Sequence, residues 1–199
     1  VMVDAGRGWA PSFGVNSKGT FINSLLVDSN GCGLYKRLGE GRTHITKLVN
    51  DVLEEAILAE DIGTYLASTE VVNVPDLSCH SMIADTQGNV WTVEPGRGNI
   101  ASTAGEGHLF VMGNCPLWDM AQTHAPCGTG ADRYKKTVAI LQTKEALDVQ
   151  QAFSVLDAVK QSKGEWQTVF SMVYSAQQNI VYYCTDRKTD LIETHVFEV

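Results

Sequence analysis

The sequence predicts an α+β fold with mostly antiparallel sheets. Three patterns carry that prediction. Over 42–60, Ile45, Leu48, Val49, Val52, Leu53, Ala56 and Ile57 recur at spacings of three and four, which makes one apolar helix face. Over 77–95, "LSCHSMIAD", "TQGN" and "VWTVEP" read as two strands around a tight turn. Over 166–186, "WQTVFSMVYS" and "NIVYYCTD" form a second hairpin around "AQQ". Strands joined by short turns pair antiparallel. Runs of strands separated by runs of helices place helices on large sheets.

Each element follows in order. "NSKG" (16–19) is a turn signal ahead of the strand candidate "TFINSLLVD", and "SNGCG" (29–33) is a loop. After the 42–60 helix, "DIGTYLAST" continues as a short second helix offset at Asp61. The first hairpin follows Pro75, and "GEGHLFVMG" (105–113) reads as a further strand. "ADRYKKTVAILQ" (131–142) is helical, with Tyr134, Val138 and Leu141 on one side. "DVQQAFSVLDAVKQ" (148–161) is a helix with Asp148 as N-cap and Gln151 placed for a capping box. "LIETHVFEV" (191–199) closes with alternating character, and the apolar run "TVFSMVYS" predicts strands buried on both faces.

The chain has 199 residues, enough for one medium domain with a real core, so residues 1–199 are expected to form a single domain. It is 44% hydrophobic and 19% charged, with a net charge of -8. Its cations occur as pairs such as Lys36–Arg37 and Lys135–Lys136, so neither nucleic acid nor an anionic membrane surface is an expected partner. No apolar run approaches the ~20 residues that cross a bilayer. The five cysteines (Cys32, Cys79, Cys115, Cys127, Cys184) are odd in number and spread out. They fit reduced thiols better than a disulfide framework, and a cytoplasmic location is the expectation. "VMVDAGRGWAPSF" has no initiator Met and no signal-peptide pattern, so an upstream piece is expected to be missing.

Three constellations could carry chemistry. Cys115, His124 and Cys127 give Cys-x8-His-x2-Cys, which zinc would accept with a fourth ligand from His108 or Cys79. There is no CxxC pair and no fixed fourth ligand, so the bland alternative is a loop histidine and a packed thiol. Cys115 with His124 also suggests a papain-like pair, but no nucleophile elbow or protease signature accompanies it. A free Cys at a strand end behaves as a small hydrophobe. In "FVMGNCPLW" the third candidate is Asn114, whose amide could donate to a developing oxyanion without titrating. Arg133 opens a helix, where cations are mildly disfavoured, so it has either a specific task or a solvated surface position.

These residues resemble a family. "GVNSKGTFINSLL" (14–26), "HSMIADTQGNVWTVEP" (80–95), "FVMGNCPLWD" (110–119) and "ADRYKKTVAIL" (131–141) are similar, in order and spacing, to the C-terminal two-thirds of linear-amide hydrolases of the N-terminal-nucleophile (Ntn) class. That group includes choloylglycine hydrolases, penicillin V acylases and isopenicillin N acyltransferase. The resemblance implies a four-layer αββα sandwich and catalysis by an N-terminal Cys whose α-amino group acts as base. It implies Asn114 as oxyanion donor and Arg133 beside the nucleophile. It places Asn23 or Ser24 in the region lining the substrate pocket. No cofactor or metal is implied.

The departures are specific. Val1 cannot be the nucleophile, and the family's Asp and Arg that follow it are not seen. Gly113 stands where relatives often have Thr. The leading expectation is therefore a hydrolase or acyltransferase of linear non-peptide amides whose Cys lies outside this chain, the chain alone being inactive. The alternative is an inactive Ntn-fold domain that binds a small amide ligand or a partner. The expected partners are a small-molecule amide and the chain's own missing segment, with homo-oligomerisation left open.

Overall fold

The computed structural model describes residues 1–4, 8–102, 109–126, 128–144, 146–164 and 166–197. Its elements, in chain order, are β1 (Met2–Asp4), β2 (Trp9–Pro11), β3 (Phe13–Val15), β4 (Phe21–Asn23), β5 (Leu25–Leu26), β6 (Arg42–His44), α1 (Ile45–Leu53), α2 (Ile62–Ser68), β7 (Glu70–Val72), β8 (Cys79–Ala84), β9 (Val90–Glu94), β10 (Gly98–Ser102), α3 (Leu117–Thr123), α4 (Ala131–Leu141), α5 (Val149–Ala158), β11 (Phe170–Ser175), β12 (Ile180–Thr185) and β13 (Glu193–Val196). The chain divides into two compact units, Val1–Tyr134 and Lys135–Val199.

The first unit is built on an antiparallel sheet in the order β10-β9-β8-β4-β3, with β5 also pairing β8. One face of this sheet meets α1. Ile45, Leu48, Val49 and Val52 are essentially solvent-free and pack with Ile22, Cys79, Ile83 and Val93. Each such side chain contributes about 1.5–3 kcal/mol on burial. The spacing of three and four therefore does what it predicts.

The bounds of that helix differ from the expected 42–60. Arg42–His44 leaves the helix to pair in parallel with Glu70–Val72, burying Thr43. At the other end Glu55 takes φ 60, and the Asn16 amide donates to the Val52 carbonyl at 2.9 Å. That carbonyl is one of those a helix end leaves without a partner. Asn16 also accepts from Lys18 N and Thr20 N, so the 16–19 turn and the helix stop are one device.

The strand expected across "TFINSLLVD" is broken at Ser24. Asn23 and Ser24 lie between the pairs Ile22↔Ile83 and Leu25↔His80. There the Asn23 side-chain oxygen accepts from Met82 N at 2.8 Å, in place of a main-chain partner. The β8–β9 hairpin forms as predicted, with Asp85 Oδ1 accepting from Gln87 N and Asn89 N in its turn. β10, not foreseen, pairs with β9 from Gly98↔Glu94 to Ser102↔Val90.

The strand expected over 105–113 is not found over its described part, 109–113. Residues 105–108 lie outside the described residues, and 109–113 joins no ladder among the described strands. Apolar character alone does not supply a pairing partner.

In the second unit β11, β12 and β13 form an antiparallel sheet, and α5 packs on β11. The capping box is present: Asp148 accepts from Gln151 N at 2.7 Å and Gln151 accepts from Asp148 N at 3.1 Å. Phe153 and Val155 are its buried residues. In the run itself full burial is not found, since every residue of β11 is half-buried, and every residue of β13 is exposed. Only the central β12 has buried residues, Val181 and Cys184.

Candidate functional site

Asn114 lies in the turn that leads from Gly113 through buried Cys115 and Pro116 into α3. Its two amide ends are assigned by chemistry. Arg133, in the first turn of α4, has only donors, and its Nη2 donates to Asn114 Oδ1 at 2.9 Å. The amide nitrogen therefore points the other way, donating to the Leu26 carbonyl at 2.7 Å at the end of β5. An Asn NH2 carries two hydrogens. Among the described residues this is the one hydrogen bond that Nδ2 makes.

Gly130 makes the close approach of α4 to this turn feasible. Its φ is +82°, and a Cβ there would lie 3.1 Å from Asn114 Cβ, 3.2 Å from Asn114 N and 3.1 Å from Arg133 Nη2. The 128–130 turn is fixed in turn by Asp28, which accepts from Thr129 N at 2.7 Å and Thr129 Oγ1 at 2.9 Å. Arg97, with its side chain 3% exposed, donates to the Asp28 carbonyl at 2.6 Å and pairs with Asp119 at 2.9 Å.

Beneath the start of α3 lies a buried acid. Glu94 Oε1 accepts from Leu117 N at 2.9 Å and Oε2 from Trp118 N at 2.5 Å. The imidazole Nδ1 of His80 lies 2.6 Å from Glu94 Oε1, with both side chains fully buried. Burial alone would push the Glu94 carboxyl up. The His80 hydrogen bond and the two main-chain N–H groups outweigh it and hold the carboxyl below its ordinary value.

The structure thus brings Asn114 and Arg133 into direct contact. Asn23 and Ser24 are bonded elsewhere: Asn23 to Met82 N, Ser24 N to the Ser12 carbonyl at 2.6 Å, and the Ser24 side chain to the Cys79 thiol. They share a chain path with Leu26, which receives the Asn114 amide.

The thiol and zinc readings gain little. Cys115 is 0% exposed, whereas His124 is exposed in a left-handed position ending α3. Among the described residues no group of three His, Cys, Asp or Glu is placed to hold a metal ion; His108 and Cys127 lie outside them. Burial raises the Cys79 thiol, with Ser24 partly opposing, so Cys79 is a poor nucleophile at neutral pH.

Sequence reasoning did not single out Glu94, His80, Asp28, Arg97 or Gly130. Glu94 and His80 look like ordinary hairpin residues, and Asp28 and Thr129 stand 101 positions apart in the chain.

No family model matches the chain, and no curated protein matches it. Two solved structures of conjugated bile acid hydrolase from Clostridium perfringens are similar to it. A mutant of that enzyme with Ala for Cys is 16% identical, with a TM-score of 0.74, covering 98% of this chain and 75% of that one. A variant with Leu for Arg is 17% identical, with a TM-score of 0.71 and the same coverage. At this identity the likeness is one of fold. The chain shares the α+β fold, with antiparallel sheets, of conjugated bile acid hydrolase, the fold that its resemblance to Ntn amide hydrolases implies.

Proposed function

We propose that the chain forms the larger part of an Ntn-type hydrolase or acyltransferase that cleaves linear, non-peptide amide bonds in small molecules. One observation carries this reading: the Asn114 amide is oriented by Arg133 and Leu26, and its NH2 makes one hydrogen bond among the described residues. A fixed, non-titrating donor of this kind suits a developing oxyanion and is worth ~3 kcal/mol of barrier. The shared fold supports the same class of chemistry.

In this mechanism a thiolate attacks the amide carbonyl carbon, and the carbonyl oxygen gains the negative charge that Asn114 Nδ2–H receives. The C–N bond then breaks, and the amine leaves with a proton. Water, or a second amine, attacks the resulting thioester and regenerates the thiol. The nucleophile is an N-terminal Cys on a segment outside this sequence, with its α-amino group as base, since an amine of pKa near 8 can take a thiol proton at neutral pH. Among the described cysteines, Cys79, Cys115 and Cys184 are buried. The fold supports a small-molecule amide as substrate, and loops set the acyl group and amine.

Protein made from the whole gene, incubated with a panel of N-acyl amino acids, N-acyl taurine and glycine conjugates and N-acyl amino-lactones, tests the reading. Amine release together with a covalent adduct of a thiol-directed amide analogue on an N-terminal Cys is the expected result. No turnover, with retained binding of those amides, would favour an inactive ligand-binding domain.

A further inference from the structure

Glu94 and His80 face away from the α1 core. Cys79, Ile83 and Val93 point into that core, so alternation along β8 and β9 turns His80 and Glu94 to the opposite face. They lie one step beyond the pair Ser81↔Val93, opposite one another across the hairpin. A buried acid–imidazole pair is a poor way to hold two strands, because an apolar pair would do it without the desolvation cost. Its particular consequence lies on the other side of the carboxylate, where it receives the first two N–H groups of α3. Asn114 precedes Leu117 by only Cys115 and Pro116, both buried. The place of the Asn114 main chain is thus tied to Glu94, while its side-chain direction is tied to Arg133 and Leu26.

His80 fits a purely orienting part. Its Nδ1 meets Glu94, and its buried Nε2 has no hydrogen-bond partner among the described residues. The directional contact of the imidazole among the described residues is with Glu94. As the Nδ1–H tautomer it fixes the carboxylate plane so that Oε1 and Oε2 address Leu117 N and Trp118 N separately.

We propose that Glu94 and His80 are positioning residues for Asn114: the carboxylate, oriented by the imidazole, fixes the first turn of α3 and thereby where the Asn114 amide stands. This rests on the reading of Asn114 as the oxyanion donor. A misplacement of about 1 Å at such a donor can cost on the order of 100-fold in rate.

The test uses the protein from the whole gene and two readouts, the side-chain NH2 resonance of Asn114 by 15N NMR and steady-state kinetics on an amide. Glu94→Gln keeps the shape but replaces one accepting oxygen by an NH2 that faces a main-chain N–H. It should move the Asn114 resonance and lower kcat about 100-fold, with KM within about threefold. His80→Leu should act in the same direction, and His80→Asn, whose amide N–H can take the place of Nδ1–H, should lose less. Leu48→Ala, in the α1 core, controls for general destabilisation. An unmoved Asn114 resonance in Glu94→Gln overturns the proposal, as does a kcat loss no larger than that of Leu48→Ala. Should Glu94→Gln not fold, equal shifts in His80→Leu and His80→Asn overturn it. If the wild type turns over no amide, the functional reading fails, and the resonance alone decides whether the pair positions Asn114.

Discussion

Arg133 Nη2 donates to Asn114 Oδ1 at 2.9 Å, which, with the Leu26 carbonyl on the amide nitrogen, fixes the direction of the Asn114 amide. The two side chains therefore act as one unit, and their substitutions should not add. Asn114→Ala should lower kcat by about 10²–10³-fold with little change in KM, the loss expected for one oxyanion donor. Arg133→Leu leaves the amide held through the Leu26 carbonyl alone and should cost less. The double variant should be no slower than Asn114→Ala by more than about threefold, since Arg133 acts partly through Asn114. Kinetics on the three variants decides it, and an unchanged kcat in Asn114→Ala removes the oxyanion assignment.

Gly130 gives a second, steric test of the same turn. Gly130→Ala carries the strain of a side chain at φ +82° and also presses on Asn114 at 3.1 Å. Gly164, at φ +83°, has nothing within 4 Å of the corresponding position. Both alanine variants should lose about 1–2 kcal/mol of stability from the left-handed backbone. Only Gly130→Ala should also reduce kcat. Chemical denaturation and kinetics on both variants separate strain from crowding, and equal kcat values would mean that the Asn114 turn tolerates displacement.

The α1 stripe is legible in sequence because Ile45, Leu48, Val49 and Val52 sort themselves by spacing alone. Its ends are not, because they are set by residues distant in the chain: Glu70–Val72 draws off Arg42–His44, and Asn16 takes the Val52 carbonyl. The same division holds at the site. Asn114 and Arg133 stand out as unusual residue types at element ends. Glu94 and His80 are hidden because alternation in a hairpin says which residues share a face, not which face meets α3. Leu109–Gly113 shows the converse, an apolar stretch with strand character that no described strand pairs.

The buried Glu94 carboxylate predicts an acid-sensitive stability. Burial would raise it, but His80, Trp118 N and Leu117 N together hold it below its ordinary value of 4.5. A carboxyl lowered on folding binds protons more readily in the unfolded chain. Its contribution is therefore fully present above the unfolded value and is lost as pH falls through the folded one. The Tm difference between wild type and Glu94→Gln should be steady from pH 7 to about 5 and shrink progressively as the pH drops below 4.5. Thermal melts at steps of one pH unit check this. A gap that stays constant down to pH 3 would show that Glu94 is not held charged by its neighbours.

Thiol reactivity separates the cysteines by burial and by chemistry. Cys32 is exposed, while Cys79, Cys115 and Cys184 are buried. The Cys79 and Cys184 thiols are also pushed up by burial, with Ser24 and Ser171 each partly opposing, so fewer thiolates form at neutral pH. Iodoacetamide at pH 7.5 should alkylate Cys32 at least about tenfold faster than these three, since the reagent meets only exposed thiolate. Peptide mass mapping over a time course reads each site separately. Rapid labelling of Cys115 would show that the Asn114 turn opens to solvent. It would revive Cys115 as a nucleophile, because the case against it rests on the seal formed by Cys115, Pro116 and Leu117. Slow labelling there, with loss of amide turnover only on modification of an N-terminal Cys, would leave Asn114 as the functional residue of the pair.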